Sequence, residues 1–318
     1  MTRRLIAALA VALVLPAGGP AVSAAATGPG PYVALGDSYT AAPLVLNQVG
    51  KPVGCARSDH NYPSLAARAL GVATFADVSC SAAVTADMTA PQSVPFGFNA
   101  PQFDALRADT RLVTVGIGGN DVGLVGAAVT CAQLGLAQPR GTACRSHFNS
   151  GGSDRLVARI AATAPKIAGV LRGVHERSPL ARVLLVGYPD VLPRTGNGCY
   201  PLVSLSPDDV RYLDGLILQT NRMLAEQAAT NGAEYVDTYL DSAGHDVCTL
   251  PPARWFEGLV PTLPAFPLHP NGLGMASMAR SVLRVARAPR TGSPFAARSR
   301  SKAAIRRAVR HGSRLHPR

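Results

Sequence analysis

The stretch PYVALGDSYTAAP, residues 31–43, runs from apolar residues directly into a glycine, an acid and a hydroxyl. Residues 32–36 (YVALG) have the near-continuous apolarity of a strand covered on both faces. Four further runs of this kind follow: ATFADVS at 73–79, RLVTVGIGG at 111–119, RVLLVGYPD at 182–190 and AEYVDTY at 233–239. Segments of helical character lie between them, at 62–70, 153–178 and 206–231. The last begins with Ser206 as N-cap, Pro207 in the first turn, and Asp208 and Asp209 at the positive end of the helix dipole. Alternating strands and helices predict a parallel sheet between helical layers, in which function gathers at the carboxyl ends of strands. Asp37 and Ser38 then stand where a strand-to-helix loop meets a helix N-terminus, beside backbone N–H groups that lack helical acceptors.

The N-terminus bears on compartment. Arg3 and Arg4 precede an apolar run of roughly ten residues and a set of small residues ending at Ala24–Ala26, the pattern of a secretory signal peptide over residues 1–26. That run falls short of the ~20 residues a spanning helix needs, and no later segment reaches that length. Six cysteines, an even set, suit an oxidising compartment. None are spaced as CxxC, and no HExxH or Cys/His knuckle occurs, which argues against metal or redox chemistry. Pairing of sequence neighbours (Cys55 with Cys80, Cys131 with Cys144, Cys199 with Cys248) is expected, because each bridge would staple a loop between regular elements.

The net charge of +12 is unevenly placed. Eleven of the 31 basic residues lie between Arg284 and Arg318, and no carboxylate follows Glu257. With the two leader arginines set aside, the body is close to neutral. The basicity therefore belongs to a tail over 288–318, and a nucleic-acid-binding fold is poorly supported. The tail's alanine, serine and arginine content predicts disorder, and its charge an affinity for anionic cell wall or membrane.

A serine attacks an acyl carbon when a base takes its proton and donors receive the charge on the carbonyl oxygen. Ser38 is the candidate nucleophile. Candidate donors are the N–H groups of Ser38 and of the 81–83 turn, with the side-chain amide of Asn120, which Gly116, Gly118 and Gly119 leave room to aim. The candidate base is His269, followed by Pro270-Asn271-Gly272 and an amphipathic helix. The other histidines lack such a setting, and His311 and His316 fall in the tail.

Gly36-Asp37-Ser38, Gly118-Gly119-Asn120-Asp121 and His269-Pro270, in this order, resemble the SGNH or GDSL-type serine hydrolases, most closely their secreted bacterial lipase/esterase branch, over residues 31–287. The resemblance implies a three-layer α/β/α, flavodoxin-like doubly wound parallel sheet and a monomeric enzyme without cofactor. Ser38 would be nucleophile, His269 general base, and Ser38, Ala82 and Asn120 the oxyanion donors. Ala82 stands where the family carries a glycine, so it must hold that glycine's backbone conformation. Phe266 occupies the position of the usual triad Asp, three residues before the histidine, and its main-chain carbonyl is expected to orient the imidazole; Asp37 reads as a turn former. Phe96, Phe98, Trp255, Phe256 and Phe266 are expected near the site, favouring acyl chains. The alternatives are a carbohydrate O-deacetylase and a non-catalytic cell-wall-binding protein.

Overall fold

The computed structural model describes residues 30–194 and 198–290. The proposed signal peptide and residues 291–318 of the basic tail lie outside the described residues.

Strand β1 (Tyr32–Gly36) leads into the single turn α1 (Ser38–Ala41), and the ribbon of β2 (Gln48–Val49) and β3 (Arg57–Ser58) precedes α2 (Tyr62–Leu70). β4 (Phe75–Asp77) is followed by a hairpin of β5 (Gln92–Val94) and β6 (Gly97–Asn99). β7 (Leu112–Gly116) opens a helical run of α3 (Gly119–Val122), α4 (Leu124–Ala137), α5 (Ala143–Phe148) and α6 (Arg155–Arg177). β8 (Arg182–Val186), α7 (Pro207–Thr230), β9 (Glu234–Val236) and α8 (Gly272–Arg287) complete the chain. β4, β1, β7, β8 and β9 form one parallel sheet in that order. Counted along the chain this is 2-1-3-4-5, the flavodoxin-like order, with its switch point between β1 and β7.

Side chains alternate along each strand, so each contributes to two cores. Tyr32 and Ala34 of β1, with Leu184 and Val186 of β8, pack with Tyr62 of α2 and Met275, Met278 and Val282 of α8. Val33 and Leu35, with Val113, Val115, Val183 and Leu185, pack with Ile167 and Leu171 of α6 and Leu213 and Leu216 of α7. Burial of both faces explains the near-continuous apolar runs.

The predicted strands are all present; β1 coincides with its apolar run, and the other four end earlier than theirs, because residues 78–79, 117–119, 187–190 and 237–239 leave the sheet. Helix α7 starts as expected, with Ser206 Oγ accepting the Asp209 N–H at 3.1 Å. Disulfides join Cys55 to Cys80, Cys131 to Cys144 and Cys199 to Cys248. Among the described residues no helix is long and apolar enough to cross a membrane.

Candidate active site

Three strand ends converge on Ser38. β1 ends at Gly36, where an added Cβ would lie 2.2 Å from Thr40 Oγ1 and 2.7 Å from the Gly116 carbonyl, so only glycine fits. Gln102 clamps this point with two bonds, its Oε1 accepting Gly36 N–H at 2.8 Å and its Nε2 donating to Gly36 O at 3.0 Å. Asp37 then caps α1, Oδ1 accepting the Tyr39 N–H at 2.9 Å, which is the turn-forming part expected of it.

His269 comes from the loop before α8. Its Nε2 is 2.7 Å from Ser38 Oγ, and its Nδ1 is 2.8 Å from the Pro267 carbonyl. A carbonyl only accepts, so Nδ1 carries the proton and the Nε2 lone pair faces the hydroxyl. The orienting carbonyl is therefore that of Pro267, and the expectation of Phe266 is corrected. Phe266 O is taken by the backbone N–H of His269 at 3.1 Å, closing a turn through Leu268, which has φ 61°. Burial pushes the imidazole down to about 4, against the Pro267 bond, which raises it.

The loop carrying the histidine hangs on Glu257. Its backbone exchanges bonds with His269 O (3.0 Å) and Leu268 N–H (3.1 Å). Its buried carboxylate accepts from Thr262 N–H and from Asn271 Nδ2, each at 2.8 Å. Asn271 in turn caps α8 through Leu273 N–H at 2.9 Å. Burial pushes the Glu257 carboxyl up, but these bonds and nearby Arg254 outweigh it and hold the group ionised.

The donors sit opposite. Ala82 adopts φ 64°, the left-handed conformation glycine would otherwise supply, at a cost of about 1 kcal/mol. Its turn is tied to β1 by Cys80 N–H on Gly36 O at 2.9 Å. Asn120 Nδ2 donates to Ala83 O at 2.9 Å, which fixes the amide beside that turn while its second N–H stays available. Among the described residues the N–H groups of Ser38 and Ala82 have no protein acceptor.

Tyr188, at the end of β8, joins the two halves. Its hydroxyl donates to Asp37 Oδ2 and accepts the Gly119 N–H, both at 2.6 Å, so one group registers the serine turn against the asparagine turn. A Cβ on Gly119 would come within 2.7 Å of the Tyr188 ring. Burial drives Asp37 up to about 7, against hydrogen bonds from Tyr188 and Tyr39 that lower it. Tyr39 completes the frame by donating to Leu268 O at 2.6 Å.

Ser38, Asn120 and Tyr188 open on a narrow cavity of about 50 Å³. Its wall is Leu124, Val125 and Ala128 of α4, Val191 and Leu192 beyond β8, Leu213 and Ile217 of α7, and Leu268. None of the five expected aromatics belongs to this wall. Phe96 and Phe98 are 95% and 72% exposed on the β5–β6 hairpin, and Phe256 is in the core. Trp255 is stacked on His245 with ring centres 3.5 Å apart. Phe266 alone reaches the dyad, edge-on to His269 at 5.4 Å.

A hydroxyl facing an imidazole lone pair, with free donors and an apolar slot beside it, is suited to acyl transfer. The model of the GDSL-like lipase/acylhydrolase family matches residues 34–276, which carry all of these groups. The chain belongs to this family. As a GDSL-type hydrolase it cleaves carboxylic esters. Lipase 2 of Streptomyces coelicolor is 39% identical to it over 257 residues, 80% of this chain and 85% of that protein. The crystal structure of phospholipase A1 from Streptomyces albidoflavus matches 82% of this GDSL-type hydrolase and 100% of its own chain, with a TM-score of 0.68 and 27% identity. That of an extracellular lipase from Streptomyces rimosus matches 80% and 97%, with a TM-score of 0.65 and 28% identity.

Proposed function

We propose that this hydrolase is an exported enzyme acting on lipid-type esters through an acyl-Ser38 intermediate. The observation that carries the mechanism is the 2.7 Å contact between Ser38 Oγ and a His269 whose other nitrogen is bound to a carbonyl. His269 Nε2 takes the hydroxyl proton as Oγ bonds to the ester carbonyl carbon. The oxyanion then lies against the N–H groups of Ser38 and Ala82 and the amide of Asn120. Protonated His269 returns its proton to the leaving alkoxide, and a water activated by the same nitrogen releases the acid. The apolar wall supports an acyl chain over a charged group. Export is supported by the three disulfides and by similarity to an extracellular lipase.

A fluorophosphonate label should be captured covalently at Ser38, and p-nitrophenyl esters with several-carbon chains should be turned over faster than acetylated xylan. Absence of labelling would make the protein a binder. Preference for acetylated xylan would make it a sugar deacetylase.

The buried histidine sets the pH response. The base works only when neutral, so kcat/KM on a soluble ester should hold as pH falls through 6 and 5 and drop to half near pH 4. The same limb should persist in Asp37→Asn, since Asp37 does not touch the imidazole. A limb near 6.5, in both proteins, would show that the base is solvated. Stability moves the same way: the unfolded imidazole binds a proton below about 6.5 and the folded one does not, so this group favours unfolding progressively from there down to pH 4.

A further inference from the structure

Two loops beside the dyad expose apolar side chains that fold stability does not require. Leu44, Leu46, Val49 and Val53 of residues 43–55 are 45–69% exposed, and Phe96 and Phe98 at the hairpin more so. Phe96 occupies the second position of the two-residue loop between β5 and β6, after Pro95, with φ 65°, a conformation that ordinarily selects glycine or asparagine. Leu44 also has φ 65°. Bulky apolar residues are thus held in an unfavourable backbone conformation while pointing at water, a combination that disfavours the isolated protein twice.

These residues form one rim tied to the loops that carry the oxyanion turn and the histidine. The hairpin tip lies on the Val53–Cys55 turn, since a Cβ at Gly54 would meet Pro95 O at 2.2 Å. The rim joins the oxyanion side through Ser81 N–H on Cys55 O (3.1 Å) and Gln92 Nε2 on Ser81 O (2.8 Å). It joins the histidine side through Phe266 N–H on Pro43 O (2.9 Å). Its charge is as selective as its apolarity. No charged residue occurs in 88–103, and residues 38–58 carry only Lys51, exposed, and Arg57, buried with its guanidinium on Ser79 O at 2.9 Å. No carboxylate in either segment repels phosphate, and Lys51 can meet one.

We propose that this rim docks the enzyme on a phosphatidylcholine-type lipid surface, Phe96 and Phe98 entering the headgroup–acyl boundary and Lys51 remaining at phosphate level, so that the mouth between Ala82 and Phe266 faces the esters. The inference rests on the lipid-ester reading above. An aromatic rim that enters the boundary removes apolar area from water only when the surface is present.

The test uses the mature full chain with vesicles of diether phosphatidylcholine, whose ether links cannot be hydrolysed, at about 0.5 M salt, where a Debye length of a few ångströms screens the basic tail. The wild type should sediment with the vesicles. The Phe96→Ser/Phe98→Ser double variant should partition at least about tenfold more weakly, since two buried rings are lost. Its kcat/KM on soluble p-nitrophenyl butyrate should be unchanged, while hydrolysis of ester phosphatidylcholine vesicles falls with binding. The indole introduced by Phe96→Trp should be quenched by brominated lipid. Equal partition of double variant and wild type, or an unquenched indole in a folded Phe96→Trp protein, overturns the proposal. So does a solution dimer that the double variant abolishes, which would assign the rim to a second copy. Loss of soluble-ester turnover in the wild type would instead sink the esterase mechanism while leaving vesicle binding to be read by itself.

Discussion

Replacing Ser38 by Ala should abolish ester hydrolysis, and His269→Ala should lower kcat nearly as far, on the order of 10⁶ for groups that act as one unit. The cause is their mutual dependence: Oγ is a weak nucleophile until Nε2 takes its proton, and Nε2 has nothing to deprotonate without Oγ. The Ser38→Ala/His269→Ala double variant should therefore be no worse than either single one. Asp37→Asn should be much milder, because the imidazole Nδ1 is held by Pro267 O and not by this carboxyl. Circular dichroism and melting temperature establish that each variant is folded, and single-turnover kinetics on a soluble ester give the rates. Undiminished activity in Ser38→Ala would refute the mechanism, and a loss in Asp37→Asn equal to that in His269→Ala would return the acid's part to Asp37.

Asn120→Ala should keep the fold and lose on the order of 10²–10³ in kcat, the scale of removing one preorganised oxyanion donor. The amide bonds the reacting oxygen most strongly once that oxygen carries charge, so KM should change little while kcat and kcat/KM fall together. Truncation also leaves Ala83 O without its donor, which costs stability by about 1–3 kcal/mol if the carbonyl stays dry. Activity measured well below the variant's melting temperature separates the two effects. An unchanged kcat would remove Asn120 from the site.

The centre of the sheet is legible because a strand buried on both faces must be apolar, as β1 and β7 are along their whole length and β8 is after Arg182, while the edge strands β4 and β9 are only partly buried and carry Asp77 and Glu234. The ribbon β2–β3 and the hairpin β5–β6 left no such mark, since two or three residues per strand are too few to show a period. The residues that the structure brings together, Ser38 with His269 and Asn120 beside the Ala82 turn, are readable as candidates because chemistry restricts their side-chain types at strand ends and before a helix. The partner of Nδ1 was misplaced by one residue for the opposite reason: every residue has a carbonyl, and only the turn that consumes Phe266 O leaves Pro267 O free. Tyr188 and Glu257 carry no motif that marks them as parts of the site, although Tyr188 follows a strand end just as Ser38 and Asn120 do. The sequence points to aromatics for the apolar wall, yet much of that wall comes from helices whose apolar residues give no sign of which face meets the cavity. In α4, LVGAAVTCAQLGLA, almost every side is apolar.

Most of the apolar cavity wall and the candidate reacting groups sit on different elements. Ser38, Ala82 and Asn120 sit on turns at the ends of β1, β4 and β7, or in the helix turn just beyond, and Tyr188 registers two of those turns through one hydroxyl. Much of the apolar cavity wall comes from α4 and α7. On the proposed mechanism, selection can therefore lengthen, shorten or reshape the cavity through substitutions at Leu124, Ala128, Leu213 or Ile217 without touching Ser38 or His269. A scaffold divided in this way lets one lineage diversify its diet while inheriting its chemistry intact.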